Sequence, residues 1–538
     1  MLLDLADDLR RDLDQAVYTV DRLRGLWGDV ADDALQRADR VPALRALAGR
    51  TEPAAILARL FVLGDAVSRA EATGALPTTG LDTALAQGLL EPAPTAGAAT
   101  GDAIDAEAAD LVRGTIDLRP YSVVDAIGVA AWWIASDLGE LATGRALRTD
   151  HVLGIGGASA TLSGLMLPDR ARSVLDLGTG CGIQALHASR FADRVVATDI
   201  SARALDFGRL NAALNGVDTI EFRLGSLYEP VAGERFDRIV SNPPFVITPR
   251  RAGVPEYEYR DGGMVGDALV AAVVTGAAEH LEPGGIAQLL GNWEYRSETG
   301  SAPDQVDDAD GLDRAAAWAR DAGLEHWIIE REQADPARYA ETWIRDGGTK
   351  PGSAEWEALL GAWLDDFADR GVEAVGFGYV LLRRPADDAL EVASGTAASD
   401  RAPLARVERI PEALGENPAG LGPHLSTVLA AHDALVALGP DGIDGHAFRV
   451  APDVTEERSH WPGEESPSAL VLRQGGGFAR TLRVSPAVAA AVGAYDGELA
   501  LGVIASAIAQ LLELDERAVL DEIRAETLEL VRGGLVVP

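Results

Sequence analysis

The feature that most constrains this chain is Val174-Leu175-Asp176-Leu177-Gly178-Thr179-Gly180-Cys181-Gly182-Ile183, an apolar run closing on an acid and three alternate glycines. Such a run predicts a buried strand, a tight turn and the first residues of a helix. Glycines allow the backbone within contact distance of a ligand, and amides at the start of the next helix satisfy its polar groups. The stretch therefore reads as a nucleotide-binding turn, although Gly-x-Gly also serves dinucleotide enzymes and plain loops.

Three later strand ends add to it. Arg194-Val195-Val196-Ala197-Thr198-Asp199 closes on an acid where a doubly wound sheet places a carboxylate for ribose hydroxyls. Glu221-Phe222-Arg223-Leu224-Gly225-Ser226 is a third strand, and Phe236-Asp237-Arg238-Ile239-Val240-Ser241 runs into Asn242-Pro243-Pro244-Phe245. A P-loop would need Gly-Lys-Ser/Thr, and the chain's one lysine is Lys350.

Together these residues resemble the class I S-adenosylmethionine (SAM) dependent methyltransferases, in the branch that methylates planar nitrogens and carries Asn/Asp-Pro-Pro-aromatic after its fourth strand. The resemblance covers Leu141 to Arg384. Tyr259-Arg260-Asp261-Gly262-Gly263, followed by Gly266, is similar to the segment after the Pro-Pro motif in release-factor glutamine methyltransferases, the HemK family. The resemblance implies an α/β, seven-stranded Rossmann-like domain with SAM as cofactor and no metal. It places Gly178, Gly180 and Gly182, with Thr179, at the methionine and ribose side. Asp176 would organise the turn or reach the amino group, Asp199 with Ile200 would meet the ribose, and Ser226 and Leu227 would meet the adenine.

The chemistry follows from the tetrapeptide. An amide or base-amine nitrogen is a weak nucleophile because its lone pair is delocalised, so the task is to hold it in line with the methyl donor. The Asn242 side-chain oxygen and the Pro243 carbonyl can accept the two N–H bonds of an NH2 group. Pro243 and Pro244 fix the backbone and remove competing donors, and Phe245 is expected to stack on the planar acceptor. No strong general base is required. Cys181 is expected to pack, and His151 and His187 to be structural; the remaining histidines lack metal spacing.

Three functions remain open at this point: methylation of a protein glutamine amide, methylation of an adenine or guanine amine in ribosomal or transfer RNA, and a SAM-binding regulator without catalysis. Formal net charge is −37, from 84 acids and 47 bases, which repels phosphate backbones and argues against DNA. Arg250, Arg251 and Arg260 form the one small basic patch proposed for RNA. A single cysteine excludes a disulfide framework and fits the cytoplasm, and no segment reads as a membrane span.

A chain of 538 residues predicts several domains. Residues 1–140 read as a mostly helical cap, winged-helix-like in outline, and 141–385 as the methyltransferase domain. Residues 386–468 read as linker and irregular chain, and 469–538 as a winged-helix-like α+β domain that contacts protein. Within these, Val124–Ala135 reads as a buried element and His151–Ser159 as either a cofactor wall or a plain turn. Pro92–Gly97, Ser297–Gly311 and Pro385–Asp400 read as loops or linkers, and Ala334–Asp369 as an insertion whose tryptophans pack.

Overall fold

The structure, a computed structural model, describes residues 2–93, 110–144, 147–297, 310–386 and 403–538. Most of the three expected loop segments therefore lies outside the described residues. Among the described residues, no helix is long and apolar enough to cross a membrane.

Short helices from Ala6 to Phe61 form the first layer, with Leu9, Leu13, Leu57, Leu60 and Phe61 almost fully buried. A hairpin, β1 (Ile116–Asp125) and β2 (Gly128–Asp137), carries the chain onto the central domain. Val124–Ala135, expected to be buried, is only partly so: Ile134 and Ala135 are inside, whereas Val124 is 62% and Val129 74% exposed. The far end of the hairpin outruns the core, and no apolar layer covers it.

Helix α1 (Gly157–Leu165) precedes the sheet. The sheet elements follow as β3 (Ala171–Leu177), α2 (Ile183–Ala188), β4 (Ala192–Asp199), α3 (Ala202–Leu214), β5 (Ile220–Leu224) and β6 (Phe236–Ser241). Beyond them come α4 (Ala268–His280), β7 (Leu281–Arg296), α5 (Asp310–Asp321), β8 (Glu325–Ala334), α6 (Pro336–Asp346), α7 (Ala354–Asp369), β9 (Val372–Arg383) and β10 (Ala405–Arg409). The eight strands lie in the order β10-β8-β9-β7-β6-β3-β4-β5. All run parallel except β9, which is antiparallel to both its neighbours.

Residues 386–468, expected to be irregular, hold the eighth strand and a helix, α8 (Gly422–Gly442), broken at Gly439 where φ is +65°. Leu425, Val428 and Leu429 of α8 pack with Trp327, Ile329 and Leu381 of the sheet. In β10, alternate exposed and charged side chains, as suits an edge strand, left no apolar run to betray it. The C-terminal unit has a core that begins well before residue 469, including Ala431, Ile443 and Phe448, and contains three helices and two small three-stranded sheets.

Asn211 couples the first layer to the central domain. Fully buried on α3, it accepts from the Ala135 amide (2.7 Å) and donates to the carbonyls of Ala135 (2.9 Å) and Cys181 (2.8 Å). One hydrophobic core also runs from the N-terminal helices to Cys181, Ile183 and Leu210. Asn211→Ala leaves three buried backbone groups without partners, so it is expected to cost about 2 to 4 kcal/mol. Scanning calorimetry of the variant should show a lowered first transition; an unchanged profile would mean that this bridge carries no stability.

Candidate active site

A cavity of about 790 Å³ opens at the C-terminal ends of β3, β4 and β6. The turn after β3 forms one wall. Gly178 and Gly180 have φ of +74° and +55°, and a Cβ on either would project into open space. A side chain there would both strain the backbone and occupy the cavity. Gly178 and Thr179 donate to the Thr198 carbonyl, each at 2.9 Å, which docks the turn against β4.

Gly182 has another reason for being glycine. Its φ is +85°, and a Cβ would stand 3.1 Å from the Gly208 α-carbon, so it serves the close approach of α2 to α3. It is not among the described residues lining the cavity.

Asp176 lies beneath the turn, fully buried, and accepts from the Thr179 hydroxyl at 2.5 Å. Its other oxygen has no partner, and burial pushes the carboxyl up to about 7. Asp199 lines the cavity. Its two oxygens accept from the amides of Gly180 (2.9 Å) and Ser201 (2.8 Å), so the carboxylate is held in one orientation; burial raises its pKa. Ile200, Ser226 and Leu227 complete this side, with Ile200 68% exposed at the rim and Leu227 at φ +44°.

Asn242 stands opposite. Its side-chain oxygen is buried without a hydrogen-bond partner, and Pro243 and Pro244 line the cavity beside it. The Ser241 hydroxyl donates to the Leu177 carbonyl at 2.8 Å, which ties this strand end to the glycine turn. Phe245, expected to stack on the acceptor, faces away. Its ring lies 5.4 Å from Phe377 and 6.4 Å from Trp343, and it is not among the described lining residues. The backbone pairing of Phe245 with Asp261 turns it there, because consecutive residues of an extended segment face opposite sides.

Residues 256–259 and 261–264 also line the cavity. Asp261 among them is buried and accepts from the Tyr257 amide (2.5 Å) and the Thr248 hydroxyl. The proposed basic patch is not a free surface. Arg250 pairs with Glu256 and Arg251 with Asp369, while Arg260 is buried against Tyr257 and donates to Trp343 and Asp346. In a chain this acidic, neighbouring carboxylates consume the arginines.

His151, Val152, Leu153, Gly154 and Ser159 all line the cavity, so that segment is a wall. His151 packs edge-on to Tyr259, and His187 meets the Tyr121 hydroxyl at 3.1 Å, with burial pushing its pKa down to about 4. Cys181 is buried, its thiol pushed up to about 12 by burial. Gln184 was not picked out from the sequence. It is buried on the lining, anchored to the Ser159 carbonyl at 2.8 Å, and its oxygen has no partner. Nothing in its local sequence marks it, since every residue of the short helix that carries it, His187 included, is buried.

With this geometry in view, residues 155–299 match the family model described as methyltransferase small domain. Residues 15–100 match a domain of unknown function, DUF7059. The chain is similar to a release factor glutamine methyltransferase of Xylella fastidiosa, 40% identical over 131 residues, which are 23% of this chain and 48% of the relative. It is also similar to one from Deinococcus radiodurans, 44% identical over 22% of this chain and 44% of the relative. A ribosomal protein uL3 glutamine methyltransferase of Bradyrhizobium diazoefficiens is 36% identical over 22% of this chain and 40% of the relative. The chain thus spans about half the length, or less, of the curated relatives it matches. Among solved structures, a SAM-dependent methyltransferase from Thiobacillus denitrificans in complex with S-adenosyl-L-homocysteine aligns at 22% identity and TM-score 0.25, over 42% of this chain and 91% of that one.

The buried carboxyl of Asp176 has a pH signature. Its pKa is raised from 3.8 to about 7, so the folded chain holds a proton there that the unfolded chain has released. That contribution is full below pH 3.8 and is lost as pH rises to about 7, at up to about 1.4 kcal/mol per pH unit. Asp176→Asn keeps an acceptor for Thr179 and removes the ionisation. Denaturant midpoints measured at pH 5 and pH 7 should fall more in the wild type than in the variant; equal slopes would contradict a buried, protonated Asp176.

Proposed function

We propose that this protein is a SAM-dependent N-methyltransferase whose acceptor is a planar nitrogen, a glutamine amide of a polypeptide. The single observation that carries the reading is the Asn242 side-chain oxygen, buried and unpartnered on a residue that lines the cavity with the glycine turn. A buried acceptor without a donor costs about 1 to 3 kcal/mol, and an NH2 group supplies the donor.

The residues present suit the cofactor. Open space beside Gly178 and Gly180, the oriented carboxylate of Asp199, and the orphaned Gln184 oxygen make one wall of acceptors for hydroxyl and ammonium donors. When bound, the cofactor supplies an electrophilic methyl group on a sulfonium. Asn242 and the Pro243 carbonyl hold the amide by both N–H bonds, and Pro244 keeps the segment from relaxing. As charge develops on nitrogen, these two acceptors stabilise it in place. The segment 256–264 excludes water, and the nitrogen's surplus proton leaves to solvent afterwards.

An RNA acceptor needs phosphate contacts, and Arg250, Arg251 and Arg260 are already engaged. A regulator without catalysis has no use for an orphaned acceptor on a residue that lines the cavity. The same reading gives the whole chain a polypeptide partner, with the N-terminal helices and C-terminal unit as its holders.

Asn242→Ala is expected to lower kcat by about 10² to 10³ while calorimetry finds SAM affinity near wild type. Asp199→Ala should weaken SAM binding about tenfold or more. Equal loss of binding in both variants would sink this division of roles. Radiolabelled methyl transferred into a lysate should be released by protease; label released by ribonuclease alone would replace the amide with an RNA base.

A further inference from the structure

We propose that Asp137, the last residue of β2, is a positioning residue for the cofactor: it latches residues 149–154 against the first turn of α3, so that the N-terminal unit completes the wall of the cofactor cavity. Thr149 to Gly154 all line that cavity, as do Ala202, Arg203 and Ala204 at the start of α3. Asp137 is not among the described lining residues. Both it and the strap 149–154 precede residues 155–299, the segment that matches the methyltransferase small domain.

The strap depends on its neighbours. Residues 151–154 belong to no helix or strand, so their backbone groups need partners from elsewhere in the chain. Asp137 supplies two. Its amide donates to the Val152 carbonyl (3.1 Å), and its carboxylate accepts from the Val152 amide (2.8 Å). The same carboxylate accepts from Arg203, through Nε at 3.2 Å and through a terminal guanidinium nitrogen. The Asp137 side chain is only 10% exposed, and a carboxylate so buried is costly unless it is paired. Arg203 in turn stands in the first turn of a helix, where the dipole disfavours a cation, and Asp137 offsets that cost.

The latch belongs to the N-terminal unit. Its hairpin is tied to the first helices by the Tyr18 hydroxyl, which donates to the Leu118 carbonyl (3.0 Å), and by the Trp133 indole, which donates to the Tyr18 carbonyl (2.7 Å). Val152 is buried in the core those helices form, whereas Leu153 beside it is 46% exposed. At Gly154 the strap runs so close to β2 that a Cβ would stand 2.7 Å from the Ser136 hydroxyl oxygen. The strap's other end meets a second stretch of the wall: the Thr149 carbonyl accepts from the Glu258 amide (2.9 Å), and His151 packs edge-on to Tyr259.

A ligand that packs on the strap binds more tightly when the strap is latched than when it is loose. By linkage, the ligand strengthens the latch to the same extent. That the ligand is SAM or its demethylated product rests on the cofactor reading above; the latch itself rests on the contacts of Asp137.

The test uses the full chain and S-adenosyl-L-homocysteine, with calorimetry for affinity. Asp137→Ala removes the latch, and Asp137→Asn keeps one acceptor but sets an NH2 group against Arg203. Affinity is expected to fall about tenfold in the first and by less in the second. Gly154→Ala should weaken binding by a similar factor of about ten, and adding Ser136→Gly should restore it, because the second change removes the atoms that the added methyl group meets. Hydrogen exchange on the wild-type chain needs no variant: saturating ligand should slow the Val152 amide about tenfold or more. Unchanged affinity in Asp137→Ala and Gly154→Ala would overturn the proposal. So would a Gly154→Ala defect that Ser136→Gly leaves in place, or exchange at residues 149–154 that ignores the ligand. A wild-type chain that does not bind removes the cofactor reading together with the latch, whereas equal binding by wild type and variants removes the latch alone.

Discussion

The reversal of strand order at β3 is the constraint on which the rest of the molecule depends. From β3 the chain moves outward through β4 and β5, then returns to the other side of β3 as β6. The loops leaving β3 and β6 diverge, and a crevice opens where they part. The glycine turn, Asp199 and Asn242 each sit at a strand end bordering that crevice. Their convergence needs no long-range device beyond the sheet, apart from the Ser241 hydroxyl that closes β6 onto β3.

What surrounds the crevice is held largely by charge. Asp267, just after the segment 256–264 that lines the cavity, is buried and accepts from Arg314 and from the Glu294 amide. Glu294, fully buried, is gripped in turn by Arg296 and Arg370. Buried carboxylates of this kind are costly unless paired, and the arginines that pair them arrive from β7, α5 and the end of α7. The same economy removes Arg250, Arg251 and Arg260 from the surface. A chain with 84 acids keeps few arginines unengaged, which is why a cationic cluster in the sequence does not become a cationic patch.

The helical pair α6 and α7 has a part in the site without touching it. Tyr339 on α6 accepts the Ile247 amide at 3.0 Å and packs among Trp363 and Phe367 of α7. Trp343 and Phe377 receive the ring of Phe245. The aromatic of the tetrapeptide thus anchors the acceptor segment from behind, and the tryptophans of the insertion supply the socket. This placement keeps the two carbonyl acceptors at Asn242 and Pro243 on a rigid backbone.

The sequence by itself determined the central domain: four strand ends with the right termini, the turn glycines, the acid of β4 and the Asn-Pro-Pro segment are local patterns of strand length and turn chemistry. Those patterns depend on residues a few positions apart, so they are readable in one dimension. Tertiary structure decided the remainder. It assigned Gly182 to helix packing, turned Phe245 out of the cavity, brought Gln184 to its wall and engaged the arginines, each through partners distant in the sequence. It also made Ala405–Arg409 a strand, because an edge strand of charged residues has no apolar period of its own and is defined only by the neighbour that bonds it.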